Sequence, residues 1–169
     1  MSGRATSFAV SALALAALAP LAGCGFTPLY AQPGVASGLT HIQVDAPKGR
    51  VGYLMREDLD DAFGHAKGDA PRYKLEMVLD QSRTAHGLTE NDTAQRYELD
   101  MTVFYTLVEI STGKVATTGQ VVSNVSYDSA DQPYAGIAAR QDTQDRLATD
   151  ASQKIEVQVA AFLARKPAG

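Results

Sequence analysis

The sequence predicts one α+β domain, a two-layer sandwich with two helices packed on one face of a mainly antiparallel sheet of about four strands. Three observations lead there. Apolar residues recur every three to four positions in two separate stretches, 51–63 and 137–163, which is the period of a helix with one buried side. Between those stretches they alternate with polar residues in long runs, the period of half-buried strands. A short strand-like segment precedes the first helical stretch, so the order of elements is β-α-β-β-β-α. Two amphipathic helices and a half-polar sheet bury their apolar surfaces best when both helices cover the same sheet face. The other face, carrying Thr, Glu, Lys and Asp, is then open at least in part.

The elements follow in order. His41-Ile42-Gln43-Val44 is the short strand, stopped by Pro47 and Gly49. Val51, Leu54, Met55, Leu59, Ala62 and Phe63 mark the stripe of the first helix, with Arg56, Glu57, Asp58 and Asp60 between them and Gly64 as its C-cap. After Pro71, Tyr73, Leu75, Met77 and Leu79 alternate with Lys74, Glu76 and Asp80. A turn or ragged strand end is expected around Ala85–Asn91. Tyr97, Leu99, Met101, Val103, Tyr105 and Leu107 then alternate with Arg96, Glu98, Asp100, Thr102 and Thr106. Ser111-Thr112-Gly113-Lys114 makes a hairpin turn into a return strand over about Val115–Tyr127, and two strands so joined pair antiparallel. Ile137, Leu147, Ala148, Ala151, Ile155, Val159, Phe162 and Leu163 trace the last helix, which Arg165 and Lys166 suit at its C-terminus and Pro167 ends.

Ahead of the domain, residues 1–23 read as a signal peptide. Arg4 supplies a positive start, and Phe8–Leu21 is apolar and uncharged but too short to span a bilayer, which takes roughly 20 residues. Leu21-Ala22-Gly23-Cys24 is similar to the lipobox of bacterial lipoproteins. In such proteins the cysteine is S-diacylated, becomes the mature N-terminus, and is then N-acylated. Cys24 is the only cysteine, so it has no disulfide partner within the chain. Gly25 in place of Asp points to the outer membrane, with the domain on the periplasmic side. Residues 24–38, rich in Gly, Pro, Ser and Ala, are expected to be a lipidated tether, and 39–166 the single domain. Removing 23 of 169 residues leaves 146, enough for one core. The whole chain carries a net charge of −4, and −5 once Arg4 is lost, so no electrostatic case exists for nucleic acid as a partner.

No catalytic constellation is legible. His41, His65 and His86 fall in separate elements without metal-ligand spacing, and no thiolate remains once Cys24 is lipidated, so no metal site is expected. No Gly-x-Ser-x-Gly elbow occurs, and Gly49-Arg50-Val51-Gly52 lacks the lysine of a phosphate loop. Glu57, Asp58, Asp60 and Asp61 lie away from the stripe of the first helix, as a solvated face does. An enzyme is therefore not expected, nor any cofactor beyond the covalent lipid on Cys24. What remains are surfaces. Lys74, Arg83, Arg96 and Lys114 sit on or beside the strands, and if they converge on the outer sheet face they suit an anionic lipid phosphate or a partner. The plainer reading is that they are charges that discourage edge pairing, since Glu76, Glu98 and Asp100 share those strands.

Three segments together resemble the LPS-assembly lipoproteins, the LptE family of the outer-membrane lipopolysaccharide translocon, in its alphaproteobacterial form. Cys24-Gly25-Phe26-Thr27-Pro28-Leu29-Tyr30 is similar to the family's Cys-Gly-Phe-x-Pro-Leu-Tyr start. Thr93-Ala94-Gln95-Arg96-Tyr97 through Lys114-Val115 resembles its central hairpin, and Ser126-Tyr127-Asp128 with Tyr134-Ala135 and Ala138–Arg146 its final helix entry. The resemblance implies a non-catalytic subunit seated largely inside a large outer-membrane β-barrel partner, aiding its assembly and contacting lipopolysaccharide. One departure is plain: the helix region where better-known members carry basic residues here has Asp145, Thr149 and Asp150. The competing class is a general lipid-anchored periplasmic binding protein or enzyme of the cell envelope, which needs a pocket of convergent polar groups.

Overall fold

Strict alternation produces the sheet. In the computed structural model, which describes residues 28–64, 70–88, 94–128 and 133–166, four strands lie side by side in chain order. They are β1 (Ile42–Asp45), β2 (Tyr73–Leu88), β3 (Ala94–Glu109) and β4 (Lys114–Asp128). β2, β3 and β4 are antiparallel neighbours, while β1 runs parallel to β2 because a helix carries the chain across between them. The register sets Leu75 opposite Leu107, Met77 opposite Tyr105 and Val103 opposite Val121, so the odd-numbered side chains of all three long strands share one face. Even-numbered ones share the other. At the β3–β4 turn Gly113 takes φ of +66°, and Ala116 is the extra residue of a bulge beside Leu107 and Val108.

Both main helices cover the odd-numbered face. In α2 (Arg50–Phe63), Val51, Met55, Leu59 and Phe63 are buried at four-residue spacing, and Gly64, at φ of +60°, ends the helix by donating its N–H to the Asp60 and Asp61 carbonyls. In α3 (Pro133–Arg165), Leu147, Ala148, Ala151, Ile155, Val159 and Leu163 are buried. Side chains lock α3 to its neighbours: Arg50 pairs with Asp145 at 2.7 Å, Thr149 donates to Asp58 at 3.1 Å, and Ser123 donates to Asp150 at 2.6 Å. The two helices and the three odd-numbered strand rows form one core cluster.

The structure departs from the sequence expectation at three places. The expected tether is folded from Pro28 onward: a 3-10 turn (Leu29–Ala31) leads to a short helix α1 (Val35–Leu39), and Val35 and Leu39 join the core. Two apolar side chains four apart suffice to dock one turn of helix, and the Gly and Ser around them hide that signal. Residues 24–27 and the signal peptide 1–23 lie outside the described residues. β2 extends as far as Leu88, into the stretch 85–91 where a turn or ragged strand end is expected, because its pairing with β3 holds through His86 opposite Arg96. Finally, Ile137 belongs to the exposed part of α3, since the first buried position of that helix is Thr143.

Among the described residues every fully buried core side chain lies between Val35 and Leu163, and Leu29 packs against that cluster from the N-terminal side. Gly52 fixes one tight junction in it. A Cβ there would overlap the Pro47 carbonyl oxygen of the loop that enters α2. Replacing an interior helical glycine by alanine ordinarily gains about 1 kcal/mol, whereas pushing backbone aside costs about 3 kcal/mol. Gly52→Ala is therefore expected to lose about 2 kcal/mol by urea unfolding. A gain in stability would mean that the Pro47 loop yields freely.

Candidate functional site

The even-numbered sheet face has no helix layer over it, and its side chains are patterned. At one end Lys74 pairs with Asp45 at 3.0 Å and with Glu76 at 2.9 Å. The Glu76 and then the Asp45 carboxylate hold the Lys74 ammonium above its ordinary pKa. At the other end His86 Nε2 meets Glu98 at 3.0 Å, and Arg96 donates to Asp128 at 2.9 Å. Between these ion pairs the face turns apolar. Val78 stands opposite Phe104, with Val122 diagonal to it, at 66, 47 and 54 % exposure. Thr102, Thr106 and Thr118 surround them. These side chains make an exposed apolar centre rimmed by charge, the kind of surface against which a partner can bury area.

The open edge of that sheet, β4, is managed from the helix side. Lys154 donates to the Val122 carbonyl at 2.8 Å and Gln158 to the Gln120 carbonyl at 3.5 Å. Side chains of α3 thus occupy edge acceptors that another strand would otherwise seek. Lys154 also binds Asp150 at 2.5 Å. Burial pushes the Asp150 carboxyl up, but the Lys154 ammonium and the Ser123 hydroxyl outweigh it and hold the group below the usual carboxylate range. The positions where the resemblance led to basic residues, Asp145, Thr149 and Asp150, are thereby committed to α2, β4 and α3 itself.

The four cations singled out from the sequence do not converge. Lys74 and Arg96 share the open face, but they are level with Val108 and His86, twelve β3 residues apart, or about 40 Å. Arg83 is on the helix-side face beyond the helix layer, its guanidinium 4.7 Å from the Tyr97 ring, which stacks on Tyr127 at 5.5 Å. Lys114 pairs with Glu109 in the ladder and reaches the end of α3. The strand period assigns faces only along an unbroken run, and the bulge at Ala116 shifts Lys114 to the helix-side face with Glu109. Cys24 and His65 lie outside the described residues. The residues missed were Val78 and Phe104, whose signal was two large apolar side chains in polar-face register.

Near the start of the described chain, Tyr30 donates its phenol to Glu156 at 2.7 Å. Removal from water, and then the Glu156 carboxylate, push its pKa up to about 12. A phenol with a folded pKa above its unfolded value of about 10 contributes stability below pH 10 and loses it as pH rises through 12. The urea midpoint difference between the native chain and Tyr30→Phe is expected to shrink over that window. A difference that stays constant would show that the bond does not hold the segment.

Among the described residues no group of three or more His, Cys, Asp and Glu is placed to hold a metal ion, and no helix is long and apolar enough to cross a membrane. A family model described as LptE, lipopolysaccharide-assembly, matches residues 39–159. Among solved structures the chain is similar to a protein of Caulobacter crescentus CB15 described as a candidate lipoprotein. That pair shares 41% identity at a TM-score of 0.66, over 79% of this chain and 98% of that one. It is similar as well to rare lipoprotein B of Shewanella oneidensis, at 16% identity and a TM-score of 0.54 over 71% and 92% of the two chains. A minor lipoprotein of Acinetobacter baumannii gives 17% and 0.51 over 71% and 88%. The last two show the fold alone. No curated protein matches the chain.

Proposed function

Because the chain belongs to the LptE lipopolysaccharide-assembly family, we propose that it is a non-catalytic outer-membrane lipoprotein that assembles with a large β-barrel partner and supports delivery of lipopolysaccharide to the outer leaflet. The observation that carries this reading is the bare sheet face, with Val78, Phe104 and Val122 at its centre and ion pairs at both ends. Such a face buries well against a concave wall that offers apolar and hydroxyl side chains, which the lumen of a large barrel supplies. Cys24 carries the N-acyl and S-diacylglycerol groups and tethers the domain to the periplasmic side of the membrane. Several acyl chains, each methylene contributing about 0.8 kcal/mol, make that tether durable. Depletion of the protein is expected to lower surface lipopolysaccharide, measured by labelling intact cells. Unchanged surface lipopolysaccharide after full depletion would overturn the reading.

A further inference from the structure

One end of the sandwich gathers the 3-10 turn, α1, the β3–β4 turn and the C-terminus of α3. Gly38 of α1 lies against Leu163, and Tyr30 reaches Glu156. The same end holds a cleft of about 480 Å³ between β4 and α3, whose charged lining is Lys114, Arg165 and Lys166 against Glu109 alone. That carboxylate is already engaged, by Arg72 at 3.7 Å and by the Thr112 hydroxyl at 3.0 Å. Lys166 donates to the Tyr73 phenol at 2.6 Å, a neutral partner. Lys114 and Arg165 form no ion pair among the described residues. Beside these cations Ile110 and Val115 stand exposed on the β3–β4 hairpin, and Phe162 lines the cleft. On the open sheet face, by contrast, Lys74 and Arg96 are neutralised by nearby carboxylates.

We propose that this end is a membrane-docking surface, in which Lys114, Arg165 and Lys166 bind the phosphates of anionic phospholipid headgroups while Ile110 and Val115 enter the interface. The described chain begins at Pro28, four residue-to-residue steps from Cys24, a reach of at most about 14 Å. A lipid on Cys24 therefore brings this end of the domain, not the far one, to the bilayer surface. The inference rests on Cys24 being the lipidated residue. Cations near an anionic surface each contribute about 1 kcal/mol, or about five-fold in partitioning, and act only within a Debye length. The centre of the open sheet face, around Val78 and Phe104, is left free for the barrel.

The test needs no lipid anchor. The chain from residue 24 on, carrying Cys24→Ser and exported behind a cleavable signal, retains every core residue. It is floated with phosphatidylcholine vesicles with and without phosphatidylglycerol. The expected result is salt-sensitive binding only where phosphatidylglycerol is present. Lys114→Gln/Arg165→Gln lowers it about 30-fold. Arg140→Gln, on the exposed start of α3, leaves it unchanged. Equal binding to both vesicles, no binding to either, or the same loss for Arg140→Gln overturns the proposal. Circular dichroism and the urea midpoint identify a variant that has failed to fold, and Lys166→Gln, expected to lose about five-fold, then replaces it with the same criteria. Failure here with surface lipopolysaccharide still falling on depletion would remove the docking surface and leave the subunit reading intact.

Discussion

Ile155→Ala is expected to destabilise the domain by about 4 kcal/mol in urea unfolding. Ile155 is wholly buried in the stripe of α3 that packs against α2 and the sheet. Truncation there loses the transfer energy of three carbon atoms and leaves a cavity that neighbours on three elements can fill only in part. Domains of this size keep about 5–15 kcal/mol in all, so one such substitution removes a large share of the total. A loss below about 1 kcal/mol would mean that α3 is not held by this stripe.

The second large effect concerns binding and leaves the fold in place. Val78→Asp with Phe104→Asp puts two carboxylates at the centre of the open face. Both side chains are exposed, so the urea midpoint is expected to change by less than about 0.5 kcal/mol for each. Recovery of the barrel partner in a pull-down is expected to fall at least about 30-fold, the cost of one lost interface anchor of 2 kcal/mol. Undiminished recovery would move the partner surface elsewhere on the domain. Arg83→Gln, on the other face, serves as the comparison and is expected to bind normally.

The fold was legible because periodicity carries it. The alternation from Tyr73 to Leu79 and from Tyr97 to Leu107 is unbroken on the buried face, and the 3.6-residue stripes of α2 and α3 are equally clear. What the sequence hid is physical in each case. α1 buries only Val35 and Leu39, too few to register as a period. The far half of β2 carries Gln81, Arg83 and Ala85 on its helix-side face, where pairing with β3 and the Arg83–Tyr97–Tyr127 stack stand in for a helix layer. Backbone pairing leaves no mark on side-chain composition, so the end of β2 from Ala85 reads as a turn or ragged strand end.

The candidate site was legible in kind but not in place. The alternation predicts an open, polar sheet face, but its cations stand out in the sequence more than Val78 and Phe104 do. Charges are conspicuous in a sequence, whereas their neutralisation depends on register: Lys74 meets Asp45 only because β1 pairs with β2 in parallel, and Arg96 meets Asp128 only across the β3–β4 ladder. Lys114 and Arg165, two cations without a carboxylate partner, are remote in sequence and come together where a hairpin turn meets a helix end. No spacing rule reaches across fifty residues of chain to find them.

A subunit of a larger membrane assembly travels with its partner when the tagged protein is extracted from membranes in mild detergent and fractionated by size. Stoichiometric recovery with one large outer-membrane β-barrel is the expected result. A protein that runs alone as a monomer, with no barrel in its fractions, would contradict it.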